Sequence, residues 1–103
     1  MNEDNFKIVS FYEFKNIKSQ YLKYKNSIKE ICSQNNLRGT VILSQEGING
    51  TLSGFDESID NFLTFLKNLQ FNNTEIKFSY SKTIPFYKLK IKVKKEIVPF
   101  NNE

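Results

Sequence analysis

Gly39-Thr-Val-Ile-Leu-Ser-Gln-Glu-Gly-Ile-Asn-Gly-Thr-Leu-Ser-Gly54 stands near the middle of the chain and contains all four of its glycines. Its two halves are rich in β-forming residues and predict short strands at residues 40–45 and 48–53. The turn between them centres on Glu46-Gly47, because glycine adopts the positive φ angles that tight turns need. A register with the turn at Asn49-Gly50 is the alternative, although it makes the second strand very short. The stretch therefore predicts a β-hairpin with Glu46, Gly47, Asn49 and Gly50 as structural turn residues.

Length and composition set the broad class of the protein. A chain of 103 residues predicts one domain with a core of its own. The single cysteine, Cys32, excludes an internal disulfide, and the absence of histidine removes the commonest general base and metal ligand. We therefore expect no metal site, and we interpret Cys32 as a small buried structural residue. No signal peptide or membrane-length apolar run is present, so we expect a cytoplasmic protein without membrane contact, and we expect a monomer.

The segments on either side of the hairpin predict strand–helix units. A run of β-forming residues predicts a strand at residues 7–12. Apolar residues at spacings of three and four predict a helix at residues 17–34, which stops at Asn35-Asn36. After the hairpin a second helix begins near Asp56, with Phe55 before its cap as a candidate hydrophobic staple.

The last third of the chain predicts two more strands. Residues 75–80 alternate between apolar and polar, and residues 88–98 begin with lysine at every second position. The order strand–helix–strand–strand–helix–strand is the split βαβ pattern. The sequence therefore predicts a ferredoxin-like, acylphosphatase-like α+β sandwich, with two helices on one face of an antiparallel sheet. Strands one and three are expected at its centre, and the extra C-terminal strand is left without an assigned edge.

Patterns that carry catalysis are absent from the sequence. It contains no Ser-His-Asp or Cys-His set and no Walker-type or Rossmann glycine spacing. Acylphosphatases share the predicted fold class and use an arginine in the loop between the first strand and the first helix. Here that loop is Glu13-Phe-Lys-Asn-Ile17, which contains neither arginine nor glycine, so we exclude that activity.

Lysines are concentrated near the end of the chain, where residues 82–95 contain six of them and no acidic residue. Alternate lysines on a strand share one face at a spacing of about 6.5–7 Å, which is close to the phosphate spacing of a nucleic-acid strand. The aromatic residues Tyr80, Phe86 and Tyr87 are near in sequence and suited to stacking on bases. The predicted nucleic-acid-binding residues are Lys88, Lys90, Lys92, Lys94, Lys95 and Tyr87. A solvated edge strand, protected from pairing by its lysines, is the alternative, and the sequence leaves both open.

One known family is similar to this chain in three strings of residues. The first is the hairpin stretch with Glu-Gly-Ile-Asn-Gly at its centre, followed by Ile59-Asp-Xaa-Phe62. The others are the opening Phe11-Tyr-Glu-Phe14, and the tail Ile84-Pro-Phe86 followed by Leu89-Lys-Ile-Lys-Val-Lys-Lys-Glu-Ile-Val98. They resemble the N-terminal domain of the rhodanese-fused tRNA uridine hydroxylases, and the resemblance covers nearly the whole chain. Phe55 departs from the pattern, since the family often has a small capping residue there.

The resemblance implies a function that belongs to a longer protein. Family members hydroxylate the wobble uridine of certain tRNAs at carbon 5 with molecular oxygen, and a rhodanese domain with the active cysteine follows the acylphosphatase-like domain. Cys32 does not match the rhodanese loop, so the resemblance implies that residues 1–103 are one ferredoxin-like domain, the N-terminal fragment of such a chain. It implies no catalytic residue and no cofactor in this domain, with oxygen as co-substrate of the full-length enzyme. The implied partners are tRNA and the C-terminal rhodanese domain of the same chain.

Two functions are compatible with these observations. The first is tRNA binding by a domain that is catalytically silent alone, with the lysines contacting phosphates. The second is a non-catalytic interaction module that docks on the rhodanese domain and shapes its site. In that case the contact is formed by apolar surface and the loop at residues 83–87.

Overall fold

A computed structural model of the chain describes residues 5–94, apart from the side chain of Ser19. Within this range lie β1 (Phe6–Phe14), α1 (Tyr21–Gln34), β2 (Arg38–Ser44), β3 (Gly47–Gly54), α2 (Asp56–Asn68), β4 (Glu75–Ser81) and β5 (Leu89–Val93). A short 3-10 turn at Lys18–Gln20 leads into α1. Every predicted helix and strand is therefore present. Lys95 and the predicted end of the last strand lie outside the described residues.

The strands form one sheet in the order β4-β1-β3-β2-β5. β1 and β3 are antiparallel neighbours at its centre, and β4 and β2 flank them in antiparallel pairing. β5 pairs in parallel with β2, with Ile91 opposite Val41. The predicted ferredoxin-like fold and its two central strands are confirmed. The strand without an assigned edge lies beside β2, and its parallel pairing makes the sheet mixed.

The core lies between the sheet and the two helices, which pack on the same face. Phe62 of α2 packs on Phe11 of β1 with ring centroids 5.1 Å apart, and Ile28 and Cys32 of α1 are fully buried in the same cluster. The sheet contributes Val9, Phe11, Val41, Leu43, Ile48 and Leu52 to it. Full burial of each such side chain stabilises the fold by roughly 1.5–3 kcal/mol. The predicted apolar stripes of both helices are therefore the surfaces that join the layers.

The central hairpin turns at Gln45 and Glu46, between the paired residues Ser44 and Gly47. Gly47 has φ of +140°, and a Cβ there would overlap the carbonyl oxygen of Glu13 on β1. The turn thus lies one residue before the predicted Glu46-Gly47, and Gly47 is the first residue of β3. Only glycine tolerates both this φ and the close packing of the backbone against β1.

The sequence analysis also predicted Asn49 and Gly50 as turn residues, and this prediction was wrong. Both lie inside β3, where Asn49 is opposite Tyr12 and Gly50 is opposite Phe11. A Cβ on Gly50 would lie 2.7 Å from the ring of Phe11. Glycine at this position therefore makes room for a core side chain, a requirement that local sequence does not reveal.

The predicted end of α1 is confirmed, but the predicted start of α2 is confirmed only in part. Asn36 adopts φ of +55° after α1, as expected for an asparagine stop. Phe55, however, occupies the cap position of α2 itself and makes no side-chain capping hydrogen bond. Its ring stacks on Phe6 of β1 at 5.5 Å. The predicted staple was therefore wrong in position, because Phe55 is the cap residue itself and packs against the first residue of β1.

No helix within residues 5–94 is long and apolar enough to cross a membrane. The same part of the chain holds no group of three or more His, Cys, Asp or Glu side chains placed to bind a metal ion.

Candidate nucleic-acid interface

The sheet has one face that no helix of residues 5–94 covers, and we call it the open face. Side chains alternate between faces along each strand, and Val9, Leu52 and Val41 point to the helices. The residues next to them along each strand, and the cross-strand partners of those residues, therefore point away from the helices. The open face includes Ile8, Ser10, Tyr12 and Phe14 of β1, Asn49, Thr51 and Ser53 of β3, Arg38, Thr40 and Ile42 of β2, Lys90 and Lys92 of β5, and Glu75, Lys77 and Ser79 of β4.

Lys90 and Lys92 stand on the open face at the β5 edge, and both are exposed. Leu89 and Ile91 point the other way and pack against the core, so the predicted alternation is confirmed. The backbone fixes this orientation at both ends of the strand. The Gly39 N–H donates to the carbonyl of Lys88 at 3.0 Å, and the Lys94 N–H donates to that of Leu43 at 2.8 Å.

The exposed side chains of Lys88 and Lys94 flank β5 on either side. Strand alternation fixes a shared face for Lys90 and Lys92, and Lys88 and Lys94 continue the lysine row of the sequence just outside the strand. Within residues 5–94, β5 also lies at a sheet edge, where lysines limit strand pairing with other chains. The position of the lysine row is thus compatible both with nucleic-acid binding and with protection of an edge strand. Its role in binding stays a prediction.

Two further cations on the open face were missed by sequence reasoning. Arg38 is exposed at the start of β2, and Lys77 is exposed on β4 at the opposite edge of the sheet. The open-face residues defined above include one carboxylate, that of Glu75, and four cationic side chains. Only strand pairing reveals this excess of positive charge, because its members come from three separate parts of the chain.

The aromatic residues predicted near the lysines divide between the two faces. Tyr80 is 55% exposed, but it pairs with Lys7 in the row that points to the helix side. It therefore does not share a face with Lys90. Phe86 lines a shallow depression of about 150 Å³ on the open face, and Tyr87 is 92% exposed. Of the three candidate stacking residues, the geometry thus places Phe86 beside the lysine row.

Tyr12 and Phe14 add an aromatic pair to the open face that sequence reasoning did not select. Their rings lie edge to face, with centroids 5.8 Å apart, and Phe14 is 55% exposed. Both come from the central strand β1. Their period-two spacing was the available signal, but it did not indicate which face of the strand the helices would cover.

The loop between β1 and α1 is tied to the hairpin turn by backbone hydrogen bonds. The Lys15 N–H donates to the carbonyl of Glu46 at 2.7 Å, and the Ile17 N–H donates to that of Gln45 at 3.0 Å. The Lys18 N–H donates to Oδ1 of Asn16 at 3.2 Å. These donors are therefore already engaged within the protein, whereas a phosphate loop presents its N–H groups to the ligand. The exclusion of acylphosphatase chemistry itself rests on the missing arginine and stays a prediction.

Glu13 is a buried carboxylate that the sequence did not single out. Its side chain is 5% exposed, and Oε1 accepts hydrogen bonds from the Asn73 N–H at 3.0 Å and the Thr74 hydroxyl at 2.9 Å. Nearby, the Lys15 ammonium donates to the carbonyl of Gln70. Glu13 therefore anchors the loop before β4 and serves the fold.

Cys32 is fully buried in the core, as the sequence predicted. Burial raises the pKa of its thiol to about 12, because the thiolate is poorly solvated there. We expect N-ethylmaleimide at pH 8 to modify Cys32 at least about 100-fold more slowly in the folded protein than in urea. Mass spectrometry of timed samples measures both rates. Equal rates would show that the thiol is accessible in the folded state.

Fold and surface together define an acylphosphatase-like α+β domain. Its β1–α1 loop is hydrogen-bonded to the hairpin turn, and its open face is basic. Residues 6–97 match the family described as the UPF0176 acylphosphatase like domain, and the chain belongs to that family. The crystal structure of the acylphosphatase from Bacillus subtilis is similar at a TM-score of 0.58 and 12% identity, covering 84% of this chain and 97% of that one. At this identity the similarity shows the fold alone.

Curated relatives named tRNA uridine(34) hydroxylase match nearly the whole chain. The relative from Bartonella quintana is 36% identical over 102 residues, which cover 98% of this chain and 33% of the relative. The relative from Prochlorococcus marinus is 42% identical over 100 residues, which cover 95% of this chain and 32% of the relative. The chain thus spans about a third of the length of these relatives, with this domain as one part of them.

Proposed function

We propose that this chain is the acylphosphatase-like domain of a cytoplasmic tRNA uridine(34) hydroxylase, and that it binds tRNA without catalysing the reaction. The name of its relatives supports tRNA modification as the setting. Their greater length leaves room for the catalytic part, which we assign to a rhodanese domain of the same chain. Oxygen is then a co-substrate of the full-length enzyme, and this domain needs no cofactor.

The lysine row of β5 on the open face carries the binding proposal. Lys90 and Lys92 point to solvent from a strand whose other face packs on the core. Arg38 on β2 and Lys77 on β4 extend the positive charge across the sheet. An RNA backbone that crosses the open face therefore meets cations on three strands. Such contacts supply most of the sequence-independent affinity for nucleic acids, since phosphate neutralisation releases bound counterions.

Replacing the four lysines at 88, 90, 92 and 94 by glutamine tests this proposal. If each lysine neutralises one phosphate, the log–log slope of tRNA affinity against salt becomes shallower by roughly 0.7–0.9 per lysine, or about 3 in all. Between about 50 and 200 mM salt, the wild-type affinity then falls roughly 60-fold more than that of the variant. Fluorescence anisotropy with labelled bacterial tRNA gives both slopes.

The matched control removes four lysines from the helix side of the molecule. Lys18, Lys23, Lys25 and Lys29 lie in or just before α1, on the layer opposite the open face. Their replacement by glutamine changes the net charge by the same amount. We expect little change in the salt slope of this variant. Equal effects of the two sets would mean that tRNA responds to net charge alone, and the proposed interface would be abandoned.

The alternative is a non-catalytic module that docks on a rhodanese domain. Exposed apolar side chains favour it, since Tyr87 in the loop is 92% exposed and Phe78 on β4 is 45% exposed. NMR titration of the isotope-labelled chain separates the two functions. Shifts at Lys90 and Lys92 on adding tRNA support RNA binding. Shifts confined to residues 83–87 on adding a separate rhodanese domain, with none on adding tRNA, support docking.

A further inference from the structure

We propose that the depression under Phe86 binds one unpaired base of an RNA strand, an inference that rests on the tRNA-binding function above. It gives the open face a role beyond phosphate attraction. The depression has a volume of about 150 Å³ and is lined by Thr40, Ile42, Asn49, Gly50, Thr51 and Phe86. These residues come from β2, β3 and the loop before β5, which pairing brings together.

The lining groups match the two surfaces of a nucleobase. Phe86 offers an aromatic face and Ile42 an apolar side chain, which suit the flat faces of a base. Asn49 carries an amide that both donates and accepts hydrogen bonds, and Thr40 and Thr51 carry hydroxyls. Recognition of unpaired bases in RNA combines such stacking with hydrogen bonds to the base edges.

The lysine row stands next to this depression. In the register of β2 and β5, Thr40 is opposite Lys90 and Ile42 is opposite Lys92. Adjacent strands lie roughly 4.8 Å apart, so a nucleotide with its base against Phe86 has its phosphates within reach of both ammonium groups. The depression thus combines an aromatic ring and polar groups with cations on the neighbouring strand. This combination favours a nucleic-acid strand over an uncharged apolar ligand.

An unpaired base fits this arrangement better than a duplex. The polar groups of Asn49 and Thr51 belong to β3, a central strand, so the base must lie flat against the middle of the sheet to reach them. In a duplex, the faces of a base are stacked and its pairing edge is occupied, and the phosphates are what it presents to a flat surface. The depression therefore selects single-stranded segments, while the lysines attract RNA of either form.

The test compares a fluorescein-labelled single-stranded oligouridylate with an RNA duplex of the same length. Phe86→Ala removes the stacking ring and is expected to weaken single-strand binding about 5- to 150-fold, with less than about twofold change for the duplex. Phe86→Tyr keeps the ring and is expected to restore single-strand affinity. Tyr80→Ala is the matched control, because this exposed ring lies on the helix side.

Urea unfolding of each variant, followed by circular dichroism, establishes that it folds. If Phe86→Ala does not fold, Asn49→Ala provides the same comparison by removing only the amide, with a selective loss of single-strand binding expected. Unchanged single-strand affinity, or an equal loss for both RNAs, overturns the base site. The lysine variants report separately on the proposed function. If they weaken both RNAs while Phe86→Ala weakens neither, phosphate binding stands and the base site fails.

Discussion

Replacing Gly47 by alanine is expected to lower the free energy of unfolding by about 3 kcal/mol or more. Gly47 has φ of +140°, and an added Cβ would overlap the carbonyl oxygen of Glu13. The backbone of β1 has no room to retreat, because the Lys15 N–H is bonded to the carbonyl of Glu46 in the adjoining turn. Urea titration followed by circular dichroism measures the loss.

Gly54→Ala is the matched control at the other end of the same strand. A Cβ there would lie 2.5 Å from Cδ2 of Leu37, the far end of a flexible side chain. That side chain can rotate away, so we expect a loss of about 1 kcal/mol. A loss for Gly47→Ala no larger than that for Gly54→Ala would contradict the backbone-overlap explanation.

Glu13→Ala is expected to destabilise the protein by about 2–4 kcal/mol. The substitution leaves the Asn73 N–H and the Thr74 hydroxyl without their acceptor, and it opens a space at a position that is 5% exposed. The loop before β4 then loses its anchor on β1. Chemical unfolding gives the global loss, and hydrogen exchange at the β4 amides shows whether this strand opens first.

Glu13→Gln separates the hydrogen bonds from the negative charge. Glutamine keeps a carbonyl oxygen at nearly the same place, so both donors retain an acceptor. We expect it to cost clearly less than Glu13→Ala, by about 1 kcal/mol or more. Equal costs would mean that the charge of Glu13, and not its acceptor geometry, holds the loop.

Gly47 and Glu13 meet at the junction that closes the β1–α1 loop. The N–H groups of Lys15 and Ile17 donate to the hairpin turn, so these two groups hold the loop against the hairpin. The positive charge of the sheet lies elsewhere, on the open face around Lys90 and Lys92. The RNA contact proposed above therefore lies on a different surface from the β1–α1 loop.

Local patterns in the sequence determined the elements and their order. Period-two alternation predicted β5 with Leu89 and Ile91 on one face and lysines on the other, and helical spacing predicted the stripe that buries Cys32. Glycine indicated the hairpin turn to within one residue, next to Gly47, and asparagine indicated the end of α1 at Asn36. Each of these features depends on residues within a few positions of one another, so a single sequence contains enough information to predict them.

Only the tertiary structure decided which surfaces these elements share. The pairing of β5 with β2 placed Lys90 beside Thr40, and the loop before β5 brought Phe86 over the same face. Pairing also turned Tyr80 to the helix side and placed Gly50 against Phe11. The physical reason is that side chains alternate, so the sheet register and the position of the helices decide which face a residue joins. Those contacts join residues far apart in the chain, so local periodicity does not predict them.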